Sequence, residues 1–193
     1  MGEDCDIIAE DLINWIEKIV YLLSSDIKIN LSIKKKGKES LINKKYVNKN
    51  GLYDLVKKNC PKSLLDPVSF IQTMKVKENI HDRVVDRFIG LEVSFTYNQN
   101  SVEFENDSFC NFINTIDGGT HVDAVKTGIL QYFTKQTKDS LSERDSKKID
   151  ITFNDAAQGL YLVVNLSTDL NPQFTGQTKQ KLGNSEARGA VES

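Results

Sequence analysis

No apolar run in the sequence approaches the roughly 18 residues that a membrane span needs, and its 193 residues include only 3 cysteines and 2 histidines. The first residues, Met1-Gly2-Glu3-Asp4-Cys5-Asp6, are acidic where a secretory signal is basic, so the expectation is a soluble, unprocessed, intracellular chain. Cys5, Cys60 and Cys110 are odd in number and share no metal-ligand spacing, which reads as reduced, buried thiols. Net charge is nearly absent as well: 25 Lys and Arg against 27 Asp and Glu leave −2. A glycine-rich phosphate loop, a dinucleotide fingerprint, a nucleophile elbow and paired zinc ligands are all missing. Taken residue by residue, the chain is incomplete as an enzyme. Its hydrophobic share of 39% is that of an ordinary globular chain, read as one domain or one domain plus a fragment. At this length about two-thirds of the unfolded surface can be buried without any covalent staple.

The near-zero charge conceals a segmental imbalance. Residues 28–62 hold 11 lysines against Glu39 and Asp54, or +9, which leaves −11 for the remainder. Lys34, Lys35, Lys36 and Lys38 cluster around Gly37. A solvated hairpin turn explains them; a footprint for a polyanion is the sharper alternative. Aromatic residues do not interleave with these lysines as a single-strand stacking platform would require.

Ile8, Leu12, Trp15, Ile16, Ile19, Val20 and Leu23 recur at three- and four-residue steps, which predicts an amphipathic helix over 4–23. Ile27, Ile29, Leu31 and Ile33 then alternate with polar residues, a strand that a second one around 40–47 can pair across the lysine-rich turn. Leu52, Leu55 and Val56 suit a short helix ending before Pro61. Two alternating runs, 70–76 and 88–97, read as strands separated by the polar 77–87, in which His81 stands alone among charges. Phe109, Phe112 and Ile113 mark another strand that stops at Asp117-Gly118-Gly119. Thr120 followed by Asp123 resembles a capping box and predicts a helix to about Lys138. A polar loop over 139–148 precedes Thr152 and Asp155, the same capping pattern, and a strand over 159–168. From Asn171 to Asn184 there is almost no apolar periodicity; structureless stretches of that length are usually functional or disordered. Residues 185–192 restart a helical pattern.

In that loop the Gln177-Thr178-Lys179 run places a carboxamide donor and an ammonium two residues apart, a pair suited to a terminal phosphate. A loop lysine with no such task is the plainer reading. His121 and Asp123 could be imagined as a metal pair, but no further ligand lies at a useful spacing, and a helix cap is the better explanation.

Two stretches carry more. Phe112-Ile-Asn-Thr-Ile-Asp-Gly-Gly-Thr-His-Val-Asp123, and about fifty residues later Asn171-Pro-Gln-Phe-Thr-Gly-Gln-Thr-Lys-Gln-Lys-Leu-Gly-Asn-Ser-Glu186, resemble the ATPase region of bacterial-type type IIA DNA topoisomerases, the gyrase B and topoisomerase IV B subunits. The resemblance implies an α+β fold: a two-layer sandwich whose mainly antiparallel sheet is covered by helices and contains a left-handed βαβ crossover, the ribosomal-protein-like transducer fold. It implies that residues 1–25 are the C-terminal helix of a preceding ATPase domain or a linker, and that 26–193 are the transducer domain. In this family the Gln and Lys of the loop touch the ATP γ-phosphate. That carries over to Gln177 and Lys179, with Lys179 the catalytic contact, whereas Lys181 is read as solvated. ATP and its Mg²⁺ would be bound mainly by the absent upstream domain, with no metal ligand in this chain and no activity of this fragment alone. The implied partners are double-stranded DNA, the protein's own ATPase and cleavage domains, a second copy in a homodimer and a DNA-cleaving partner subunit, with no membrane. Some relatives carry a charged residue where this chain has Ile116. The alternatives are the second domain of a mismatch-repair or chaperone ATPase and a stand-alone nucleic-acid-binding domain built on 28–62.

Overall fold

Three consecutive segments assemble one end of the molecule before the main sheet begins. The computed structural model describes residues 9–23, 26–34, 41–80 and 83–184. Helix α1 (Ala9–Ile19) tightens into a 3₁₀ turn at Val20–Leu22. Ile16, Ile19 and Val20 are buried as the periodicity requires, but Trp15 of the expected stripe is 56% exposed and Leu22 is buried in place of the expected Leu23; Ile8 lies outside the described residues. Strands β1 (Lys28–Lys34) and β2 (Leu41–Val47) form a separate antiparallel hairpin. The half-buried Ile29, Leu31 and Ile33 alternate with exposed polar residues, the pattern of a strand with one covered face. Glu17 of α1 accepts hydrogen bonds from Lys44 Nζ (3.1 Å) and Tyr46 Oη (3.5 Å), which docks the hairpin on the helix. Lys35, Lys36 and Lys38 of the basic turn lie outside the described residues.

Helix α2 (Leu52–Asn59) presents Leu52, Leu55 and Val56 along one stripe, and these pack on Phe109, Tyr161 and Val163. The helix stops before Pro61, whose ring disfavours a helical residue ahead of it.

The main sheet is α+β in setting and mixed in direction. Its strands are β3 (Val68–Ile80), β4 (Arg83–Tyr97), β5 (Glu105–Cys110), β6 (Ile113–Asn114) and β7 (Leu160–Thr168), in the order β3-β4-β7-β5-β6. All neighbours are antiparallel except β5 and β7, which run parallel and are connected through β6 and α3 (Thr120–Asp139). Leu160, Leu162, Val164 and Leu166 meet Val122 and Val125 of α3 on one face. Tyr161 and Val163 meet α2 on the other. Because a strand's side chains alternate between faces, helices cover both sides of β7, and every residue from Leu160 to Leu166 is buried. Cys60 and Cys110 are free, buried thiols; burial pushes the Cys110 thiol up to about 11.

Three local expectations need correction. The polar stretch 77–87 is strand at its described residues, 77–80 and 83–87, with His81 outside them: β3 and β4 pair continuously from Val68↔Phe95 to Ile80↔Arg83. Since β7 covers only Ile89–Tyr97 of β4, the distal part projects as a two-stranded arm. One face of the arm, Val76, Glu78, Val85 and Arg87, is half-buried and the other is exposed, but because Glu78 and Arg87 share the covered face with the two valines the sequence shows no apolar alternation there. A diagonal ion pair from Arg87 Nε to Glu78 (2.7 Å) spans it. Phe112 is not a strand residue but sits with Asn111 in the two-residue turn between β5 and β6, at φ of 67° and 47°. Asn111 offsets that conformation by bonding Thr168 with both ends of its carboxamide (2.8 and 2.9 Å). Within 139–148, Ser142 caps a short helix α4 (Glu143–Ser146). The Thr152 and Asp155 capping box is present at α5 (Phe153–Ala156). Among the described residues no helix is long and apolar enough to cross a membrane.

Candidate functional site

The site is built where β7 ends. Thr168 donates its hydroxyl to Phe88 O (2.8 Å), and Asp169 accepts from Phe88 N (2.7 Å), so the departing chain is fixed to β4. Leu170 turns into the core. The next residues form a narrow two-limbed loop, with Phe174 bridged to Leu182 in antiparallel fashion. Thr175 N donates to Lys181 O (2.9 Å), and Gly183 N donates to Gln173 O (2.7 Å). Leu182 is 1% exposed and plugs the main core. Residues 176–180 are left as the tip.

Gly176 has φ of 93°, a conformation natural to glycine, whereas Lys179 has φ of 55°. A lysine in the left-handed region is uncommon, so a side chain is held there at conformational cost. Gln177 and Lys179 are both exposed. Among the described residues neither head group makes a hydrogen bond or an ion pair, while the Lys179 ammonium lies 5.9 Å from the centre of the Phe174 ring. Thr178, between them, donates its hydroxyl to the Gln180 side chain (3.1 Å). The tip thus presents one full positive charge and one uncommitted carboxamide, five residues or fewer from a core plug.

The two stretches singled out in the sequence meet here. Asp117 N donates to Gln180 O (3.0 Å), Leu182 N to Gly118 O (3.1 Å) and Thr120 N to Leu182 O (3.1 Å). The return limb therefore lies as a short parallel strand against Gly118-Gly119-Thr120, with Gly119 opposite Leu182. Gly119 adopts φ of 138°, and a Cβ there would stand 2.4 Å from Leu182 O and 2.6 Å from Leu182 N, so only glycine permits this approach.

Thr120 does not cap α3 as its spacing to Asp123 suggested. Gly119 occupies the N-cap position without a side-chain cap, and the Thr120 hydroxyl instead donates to Asn184 O (2.6 Å). Asn184 accepts from Gln173 N (2.6 Å) and donates to Asn171 O (3.4 Å), closing the loop at its neck. His121 and Asp123 do not converge: the imidazole is 0% exposed and the carboxylate is exposed. His121 Nε2 lies 3.4 Å from Thr115 Oγ1, which in turn is 2.7 Å from Ser108 Oγ, while its Nδ1 has no partner among the described residues. Burial pushes this imidazole down to about 4. Among the described residues no three His, Cys, Asp or Glu side chains are grouped to hold a metal. Lys181 is exposed on the return limb, and Ile116, at 66% exposure, stands beside the tip. Thr120, Asn184 and the fit of Gly119 to Leu182 were not legible as a neck. The only signal was the presence of loop-forming Gly and Asn types at both contact points.

The model of the DNA gyrase B family matches residues 37–193. The DNA gyrase B protein of Chitinophaga japonensis is 31% identical over 191 residues, covering 95% of this chain and 37% of that protein. The DNA topoisomerase 4 B protein of Mycoplasma capricolum is 32% identical over 178 residues, covering 89% and 24%. Among solved structures, the topoisomerase IV ATP-binding domain of Francisella tularensis, in complex with a small-molecule inhibitor, superposes with a TM-score of 0.68 at 26% identity, covering 98% of this chain and 46% of that one. The chain thus spans well under half the length of the curated relatives it matches.

Proposed function

The chain belongs to the DNA gyrase B family, and from that premise we propose that it acts as the transducer segment of an ATP-dependent type II DNA topoisomerase, reading the γ-phosphate with Gln177 and Lys179. In this reading residues 1–25 end a preceding ATPase domain and 26–193 are the transducer domain. The observation that carries it is the tip itself: an ammonium and a carboxamide, neither with a hydrogen bond or ion pair among the described residues, on a projection whose base is bonded into the core. Such a pair fits phosphate oxygens, one neutralising charge and the other donating a hydrogen bond.

The chemistry asked of the loop is discrimination. ATP offers it a terminal phosphate and ADP does not, so hydrolysis removes the contact that holds transducer and ATPase domain in one relative orientation. A charge-assisted contact is worth about 1.5 to 3 kcal/mol, enough to bias a hinge roughly tenfold to a hundredfold. Gln180 and Leu182 sit on backbone bonds to the start of α3, so displacement of the tip is passed to a helix and to the sheet beneath it. In the complete enzyme this movement would close a homodimeric clamp on double-stranded DNA, while a DNA-cleaving partner subunit opens the second duplex. Lys179→Ala in the complete protein is expected to cut ATP turnover and strand passage by at least tenfold while leaving the melting temperature unchanged. Wild-type turnover in that variant overturns the reading.

A further inference from the structure

We propose that Asn184 is a positioning residue for phosphate sensing: its buried carboxamide locks the neck of the loop and thereby fixes where Gln177 and Lys179 stand. This rests on the reading of the tip given above and extends it to a residue with no path of its own to a nucleotide. Asn184 is only 8% exposed, yet both ends of its carboxamide and its main-chain oxygen are engaged on the loop or its support. Its Oδ1 accepts from Gln173 N at 2.6 Å, its Nδ2 donates to Asn171 O at 3.4 Å, and its main-chain oxygen accepts from Thr120 Oγ1 at 2.6 Å. One side chain therefore ties the outgoing limb, and one carbonyl ties the return limb to the first residue of α3.

The geometry explains why an amide is needed. Asn171 offers a carbonyl and Gln173 offers an N–H, so the clasp must carry a donor and an acceptor on one short arm. Alanine supplies neither. Aspartate keeps the acceptor for Gln173, the shorter of the two contacts, and faces the Asn171 carbonyl with an oxygen that repels it. Without the clasp the limbs remain joined by Thr175 to Lys181 and by Gly183 to Gln173. The loop thus survives, and its return limb stays bonded to Gly118 and Thr120, but the outgoing limb loses its Asn184 ties at Asn171 and Gln173 and no longer holds the tip in one position. A charge-assisted contact needs its partners within a fraction of an ångström, so loosening the neck forfeits the contact without touching the lysine.

The test is equilibrium binding of adenylyl imidodiphosphate, a non-hydrolysable ATP analogue, and of ADP to the complete protein, measured by titration calorimetry for wild type, Asn184→Ala, Asn184→Asp, Lys179→Ala and the Asn184→Ala/Lys179→Ala double variant. We expect Asn184→Ala to weaken the analogue roughly tenfold and ADP by less than about twofold, Asn184→Asp to recover part of the loss, and the double variant to bind no worse than Lys179→Ala. A merely structural role would weaken both nucleotides alike. Equal losses for both nucleotides, or a loss that adds to that of Lys179→Ala, overturn the proposal while leaving the phosphate reading intact. Unaltered analogue binding by Lys179→Ala overturns that reading and the proposal with it. Should Asn184→Ala fail to fold, Thr120→Val removes only the hydroxyl that anchors Asn184 O and is judged by the same non-additivity in the same cycle.

Discussion

The neck and the tip of the 171–184 loop are separated by a handful of residues and obey opposite rules. At the neck, Leu182 and Asn184 are buried, backbone groups are paired, and Gly119 leaves no room even for a methyl group. At the tip, the side chains project into solvent and Lys179 occupies a conformation that lysine does not favour. The neck is specified by shape, and almost any change there is felt through steric overlap or a lost hydrogen bond. The tip is specified by chemistry, and its side chains can be exchanged with little consequence for the fold. Placing reactive groups on a projection with a rigid foot is a general way to hold them in place without burying them.

The contrast can be broken most severely at Gly119. Gly119→Ala drives a Cβ into the Leu182 backbone, which cannot withdraw without dragging its plugged side chain from the core. We expect a loss of about 3 kcal/mol or more, read as a shift in the denaturant midpoint; a loss below about 1 kcal/mol would show that the neck is not rigid.

His121, beside the neck, sharpens the comparison through pH. Its folded pKa is depressed to about 4 from an ordinary 6.5, so the unfolded chain takes up the proton first. The stability that accompanies the neutral ring is complete above pH 6.5, declines as pH falls towards 4, and changes no further below that. The full span amounts to about 3 kcal/mol. The tip, with no carboxylate or imidazole between Thr175 and Lys181, adds nothing to this slope. Denaturant midpoints of wild type and His121→Leu at about pH 7.5 and about pH 4.5 test it, and an equally steep fall in the variant refutes the assignment.

The smallest effect belongs to Lys179→Gly. Glycine relieves the left-handed backbone but adds freedom to the unfolded chain, and the two nearly cancel. Melting should shift by no more than the equivalent of about 0.5 kcal/mol, and a larger loss would move Lys179 from the tip's regime to that of the neck.

Legibility in the sequence followed the same division. Gln177 and Lys179 could be singled out because an exposed functional group is written directly as a residue type. The neck could not, because its bonds run between backbone atoms of residues roughly sixty positions apart. Thr120 satisfied a local capping rule with Asp123, yet a partner distant in sequence, Asn184, took its hydroxyl. The framework divides in a similar way. α3 announced itself through its one apolar stripe, and β7 through an apolar run long enough for a strand covered on both faces. The β3–β4 arm did not, since its half-buried face is filled partly by the Glu78 and Arg87 ion pair and so leaves no apolar alternation to read, and Phe112 was drawn into a strand by its apolar character although the turn needed its backbone.

The central place of β7 in the sheet has a consequence for how the chain is made. Synthesis delivers β3, β4, β5 and β6 first, yet the strand that joins the β3–β4 pair to the β5–β6 pair emerges last, at Leu160–Thr168. Until then the nascent chain carries two half-sheets, each with an open edge, one along Ile89–Tyr97 and one along Glu105–Cys110. Open edges of this kind invite pairing with strangers. Between the synthesis of Cys110 and that of Thr168 both edges lack their native partner, and insertion of a single strand covers them both at once.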